Sequence, residues 1–164
     1  MGNRIVCNAS PLIFLSKIGK LYLLNDLFSE ILVPVGAWEE ATRKTDDVTA
    51  SLKALKLSSR LTVFAVMNRT AVSALVGRLH IGEVEVIVGA SELEIPYVIL
   101  DDGYARSKAK QLGLSVTGTL GVLVSAYKLG LVPDLESDIA GLRNQGFRIS
   151  DAIINKIFED VGLN

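Results

Sequence analysis

Short β-branched runs alternate along this chain with longer stretches of helical spacing. RIVCN (4–8), EILVP (30–34), LTVFAV (61–66), YVILD (97–101) and LSVTG (114–118) read as strands, each an apolar run stopped by a polar or turn-forming residue. Between them, SPLIFLSKIGKLYLLNDLF predicts two helices hinged at Gly19, because glycine costs about 1 kcal/mol inside a helix. Ser10 reads as the N-cap of the first, with Pro11 in its first turn. A further helix starts after Pro34. IGEVEVIVGASELE is helical, with Val84, Ile87 and Val88 on one face and Pro96 beyond its end. GYARSKAKQLG predicts a helix ending at Gly113. TLGVLVSAYKLGLV is apolar nearly all round and reads as buried, and Ser150 caps a C-terminal helix over SDAIINKIFEDVGL. Strands that alternate with helices predict a parallel sheet with helices on both faces. No linker, repeat or low-complexity stretch interrupts the pattern, so 1–164 reads as a single α/β domain.

Composition narrows the function. With 49% hydrophobic and 21% charged residues in 164, the chain can bury a core and is not disordered. Lys and Arg total 17 against 18 Asp and Glu, so the net charge of -1 carries no global nucleic-acid footprint, and such a partner needs a local patch. The one cysteine, Cys7, excludes an internal disulfide and a cysteine-only zinc site; inside an apolar strand it reads as an inert buried thiol. No apolar run approaches about 18 residues and no secretory h-region opens the chain, so the expectation is a cytoplasmic protein with no membrane segment.

The acids fall where α/β proteins bind ligands. Asn8 closes the first strand and Asp101 and Asp102 close the fourth, and residues at neighbouring strand ends converge at one crevice. Glu39 and Glu40 lie in the helix after the second strand, and Glu83 and Glu85 open a later one. Oxygen ligands without histidine suit Mg²⁺ or Mn²⁺ rather than zinc. Each piece alone has an ordinary reading. An Asp pair after a strand caps a helix, adjacent glutamates form a solvated helix face, and Glu83 complements a helix dipole. His80, the only histidine, reads as a surface residue.

The ordered set CNASPLIFLSKIGKLYLL, ILVPVGAWEEA, LHIGEVEVI, VILDDGYARSKAKQLGLSVTGTLGVL and LRNQGFRISDAII resembles a PIN-like family over nearly the whole chain. That resemblance implies a three-layer α/β/α sandwich around a parallel sheet of four or five strands, with strand 1 central beside strand 4. It also implies a ribonuclease, in many members the toxin of a toxin–antitoxin pair, that uses Mg²⁺ or Mn²⁺ held by acidic side chains. On this chain Asn8 stands at the family's usual first aspartate and Ser10 at its hydroxyl residue. Glu40 matches the acid of the second helix, Glu83 or Glu85 that of the GExE helix, and Asp101 and Asp102 those after the fourth strand. Thr117 and Thr119 match hydroxyls beside the site, and Arg106, Lys108 and Lys110 are candidates for RNA-backbone contacts.

Asn8 departs from that pattern. An amide keeps the shape and one acceptor oxygen of aspartate but loses its charge. At about 4 Å and an effective dielectric near 20, a unit charge pair is worth about 4 kcal/mol, so the substitution weakens metal binding by orders of magnitude unless the other acids compensate. Two readings follow: a ribonuclease with a weakened site, and a non-catalytic module that binds protein or RNA. A phosphotransfer receiver would need a phospho-acceptor aspartate and a later strand-end lysine, and neither is in place. The apolar surplus of LIFLSKIGKLYLLNDLF and AIINKIFEDVGL predicts a homodimer.

Overall fold

A computed structural model describes residues 3–58 and 60–163. Five strands, β1 (Arg4–Cys7), β2 (Glu30–Pro34), β3 (Leu61–Phe64), β4 (Tyr97–Ile99) and β5 (Ser115–Thr117), form one parallel sheet in the order β3-β2-β1-β4-β5. The central strand is β1, with Val6 paired to Leu32 of β2 on one side and to Val98 of β4 on the other.

Because successive side chains leave opposite faces of a strand, one sheet makes two cores. Ile5, Cys7, Ile31, Val33 and Ile99 point one way, into the larger cluster. There they meet α1 (Ala9–Lys17), α2 (Leu23–Leu27), α3 (Val35–Ala41), α4 (Asp47–Leu57), α8 (Thr119–Lys128), α9 (Leu135–Asn144) and α10 (Asp151–Val161) through residues such as Leu12, Leu23, Ala37, Leu52, Leu123, Leu135 and Ile154. Val6, Leu32, Val98 and Leu100 point the other way, onto Val72 of α5 (Arg69–Leu75), Val84 and Ile87 of α6 (Ile81–Glu92) and Ala105 of α7 (Gly103–Gln111). This is the three-layer α/β/α arrangement expected from the sequence. Each fully buried leucine contributes about 2 kcal/mol by leaving water.

Several boundaries differ from the sequence expectation. The first helix starts at Ala9, so the N-cap position belongs to Asn8 and not to Ser10, and Pro11 still sits in the first turn. Ser10 is drawn instead to a carboxylate from another strand end, as described below. The hinge at Gly19 is real: its φ of 70° is open to glycine and ends the first helical stretch. Strands β3 and β4 stop at Phe64 and Ile99, short of the expected 66 and 101. Helices α4, α5 and α9 were not anticipated, although each begins with a capping side chain: Asp46, Asn68 and Asp134 accept the N–H groups of Thr49, Ala71 and Ser137. Helix α8 is not buried all round. Val122, Leu123 and Ala126 are enclosed, while Ser125 and Lys128 reach solvent. Among the described residues, no helix is long and apolar enough to cross a membrane.

Candidate functional site

The carboxyl ends of β1 and β4 lie side by side, and the Asn8 N–H extends their ladder by bonding the Ile99 carbonyl at 3.1 Å. The chain turns into α1 directly after Asn8. Its side chain is 6% exposed, makes no capping hydrogen bond, and leaves Oδ1 buried without a partner among the described residues. A buried acceptor left open costs about 1–3 kcal/mol, and Ser16 Oγ, Asn25 Oδ1 and Asp138 Oδ2 share that state, so it is the surroundings of Asn8 that set it apart. What faces it is a gap at Gly82, in the first turn of α6. A Cβ there would lie 3.3 Å from Asn8 Oδ1 and 3.3 Å from Glu40 Oε2. The missing methyl therefore leaves a cradle onto which two oxygens from different elements converge.

Asp101 is held rigidly beside this cradle. Its Oδ2 accepts hydrogen bonds from Ser10 Oγ at 2.9 Å and Thr119 Oγ1 at 2.7 Å, and its Oδ1 accepts the Thr119 N–H at 2.7 Å. Gly118 makes this approach possible, since a Cβ there would come within 2.9 Å of Asp101 Oδ1 and 2.7 Å of Arg106 Nη1. Arg106 donates from Nη1 to the Leu100 carbonyl at 2.8 Å, which fixes its guanidinium next to the strand end. Asp102 caps α7, with Oδ1 accepting the Ala105 N–H at 2.8 Å. Glu83 turns back on its own helix start, where Oε2 accepts the His80 N–H at 3.0 Å. Asp102 and Glu83 each keep a second oxygen outside these bonds.

Burial pushes the Glu83 carboxyl above the ordinary glutamate range; the His80 N–H opposes the rise, and the charges of Asp102 and Glu40 add to it. Burial, helped by Asp101, likewise pushes the Cys7 thiol well up, so it is protonated and inert.

The other candidates take different positions. Glu85 is two residues beyond Glu83, about 200° round the helix, and so faces away. Its Oε2 accepts the Gly36 N–H and its Oε1 pairs with Arg69, each at 2.8 Å, which makes it a structural clamp between α6, α3 and α5. Glu39 is exposed beside Glu40. Thr117 lines the depression beside Asp101, and Lys108 and Lys110 sit in the last turn of α7. His80 is an exposed helix-start residue, as expected. Sequence reasoning missed Gly82 and Gly118; the glycine immediately before Glu83 and the glycine between two site threonines were the available signals.

Among the described residues, no three histidine, cysteine or acidic side chains form a metal-ligand cluster by themselves. The carboxylates are partly spent on donors from the fold, and Asn8 contributes an amide instead of an acid. The donor set nevertheless fits a hard divalent cation: it is all oxygen, it includes an unpartnered buried acceptor, and it borders a cradle that a methyl group would fill.

A five-stranded parallel sheet in the order β3-β2-β1-β4-β5 between helical layers is the architecture of a PIN-type domain. The chain belongs to that family: it matches the DUF3368 family model, a PIN domain, over residues 4–163. A PilT N-terminus domain protein from the hyperthermophilic archaeon Sulfolobus solfataricus P2 shares the fold, with 21% identity and a TM-score of 0.52 over 75% of this chain and 92% of that one. None of the curated protein sequences matches it. The PIN fold is generally a nuclease fold, and its members are generally dependent on divalent metal.

Proposed function

We propose that this chain is a Mg²⁺- or Mn²⁺-dependent ribonuclease of the PIN family, weakened by Asn8, and the toxin half of a pair neutralised by an antitoxin protein. The observation that carries this reading is the convergence of Asn8 Oδ1 and Glu40 Oε2 on the Gly82 cradle, beside carboxylates at the next strand end. Asn8, Glu40, Glu83, Asp101 and Asp102 would hold the cation; Glu85, already clamped by Gly36 and Arg69, would not. When bound, the ion supplies positive charge at the scissile phosphate and a more acidic water.

The protein's own residues do the rest. Ser10 and Thr119 restrain Asp101 with three hydrogen bonds, so its carboxylate is oriented before any ligand arrives. The Arg106 guanidinium, anchored through one nitrogen, has other N–H groups to offer a phosphate oxygen. The apolar faces of α1 and α2 are spent in the core, so pairing of two copies would rest on Tyr22 and on Ile153 of α10, 46% and 50% exposed; light scattering at micromolar concentration is expected to return a dimer mass.

The test is cleavage of single-stranded RNA with Mn²⁺ by the native chain and by Asn8→Asp. Slow cutting by the first and faster cutting by the second supports the reading. If neither cuts, and Mn²⁺ binds neither, the second reading stands: a PIN-fold module that binds protein or RNA without catalysis. The amide at Asn8 is the observation that favours it.

A further inference from the structure

Two depressions of about 320 Å³ each are lined by the candidate acids, one by Glu40 and the other by Asp101. Ser10, Phe14, Lys17, Glu40 and Lys44 line one, between α1, α3 and the start of α4. Asp101, Arg106, Thr117, Gly118, Phe147 and Arg148 line the other, between β5, α7 and the segment before α10. They meet at the Ser10–Asp101 hydrogen bond and along the Phe14–Phe147 pair, whose ring centroids lie 5.0 Å apart edge to face. The two depressions thus share a rim, with Glu40 in one and Asp101 in the other.

Cations line both depressions. Arg4, Lys20, Arg69 and Arg143 are in ion pairs. Lys17, Lys44, Arg106 and Arg148 are in none among the described residues, as is true of the other Lys and Arg outside both depressions; what sets these four apart is that they stand two to each depression, next to the acids. Lys17 is held at the rim by its ammonium, 5.4 Å over the Phe14 ring. Asp46, in the same depression, spends one oxygen on the α4 N-terminus, where the Thr49 N–H and the helix dipole offset its charge. Each depression thus offers a phosphate two cationic contacts next to an acid, Glu40 in one and Asp101 in the other.

We propose that Lys17 and Lys44 are phosphate-positioning residues, across the shared rim from Arg106 and Arg148. A single-stranded ribonucleotide chain then runs from one depression to the other. The choice of RNA as ligand rests on the ribonuclease reading, whereas the residues follow from the groove.

Binding is measured without metal, in EDTA, by fluorescence anisotropy of a labelled single-stranded RNA of about 12 nucleotides across a salt series. Each phosphate contact on a single strand adds about 0.7 to the slope of log K against log salt. The Lys17→Gln/Lys44→Gln double variant is expected to lose about 1.4 of slope and at least tenfold in affinity, and Lys17→Arg/Lys44→Arg to recover both. Lys128→Gln/Lys156→Gln, outside both depressions, should stay within twofold of the native chain. If the glutamine pair does not fold, each single variant should lose about half as much slope. An unchanged slope, or no RNA binding by the native chain, overturns the proposal. These outcomes are separable from the nuclease reading: RNA held through Lys17 and Lys44 without cleavage sinks catalysis alone, and cleavage indifferent to both lysines sinks the positioning role alone.

Discussion

Replacing Asn8 with aspartate changes charge at almost constant volume, at a point where the structure offers no compensating cation. Asn8 Oδ1 is buried without a partner, and Glu40 Oε2 points at the same gap over Gly82. Both oxygens lie 3.3 Å from the Gly82 Cβ position and so no farther apart than twice that. At such a separation a second carboxylate in the metal-free protein adds about 3 kcal/mol of repulsion at an effective dielectric near 20. Glu40 is exposed, so solvent screening reduces that to about 1 kcal/mol. Burying an unpaired carboxylate oxygen in place of an amide oxygen adds about 1–2 kcal/mol. The sum, about 2–3 kcal/mol, corresponds to a melting temperature about 5–10 °C lower for a chain of this size. Metal reverses the sign, because free cation at a hundredfold excess over its dissociation constant stabilises the native state by about 2.7 kcal/mol. The assay is a pair of thermal melts, native chain and Asn8→Asp, each in EDTA and in Mn²⁺. Aspartate should melt lower in EDTA and gain far more from Mn²⁺. A structural asparagine that capped α1 would predict four coincident melts, since Asp and Asn cap alike. Coincidence would refute the metal-site argument.

Three further outcomes are expected. Gly82→Ala fills the cradle with a methyl 3.3 Å from both oxygens while gaining about 0.5–1 kcal/mol of helix preference; melts in EDTA should barely change, and the Mn²⁺ stabilisation of an Asn8→Asp background should vanish. The Glu83 carboxyl is raised in the fold, so the native state holds more protons than the unfolded chain, and stability falls as pH rises from the ordinary glutamate range through the folded value. Glu83→Gln keeps an acceptor for the His80 N–H and should be the more stable form near pH 7 without metal, an advantage absent near pH 4 when urea midpoints are compared. Arg69→Ala leaves Glu85, which is 6% exposed, with only the Gly36 N–H, and should cost about 1–2 kcal/mol in urea denaturation because water reaches the outer side of that pair.

The alternation of apolar runs and helical segments determined the layer architecture, and Asn8 and Asp101 were legible as residues at the ends of the first and fourth strands. Both follow from local signals: side-chain period, β-branching and glycine at turns. The same local signals missed α4, α5 and α9, whose caps at Asp46, Asn68 and Asp134 are single polar residues among others like them. They also misassigned Ser10, because a hydroxyl at a helix start caps by default unless a distant carboxylate competes for it. Only the tertiary structure decided that competition in favour of Asp101, 91 residues away. It likewise separated Glu83 from Glu85, turning one toward the strand ends and tying the other to Gly36 and Arg69. It brought Lys17 and Arg148, near opposite ends of the chain, to two depressions that share a rim. Which oxygen stays open and which is spent depends on atoms brought together by the crossover β3-β2-β1-β4-β5, and no window of neighbouring residues contains them.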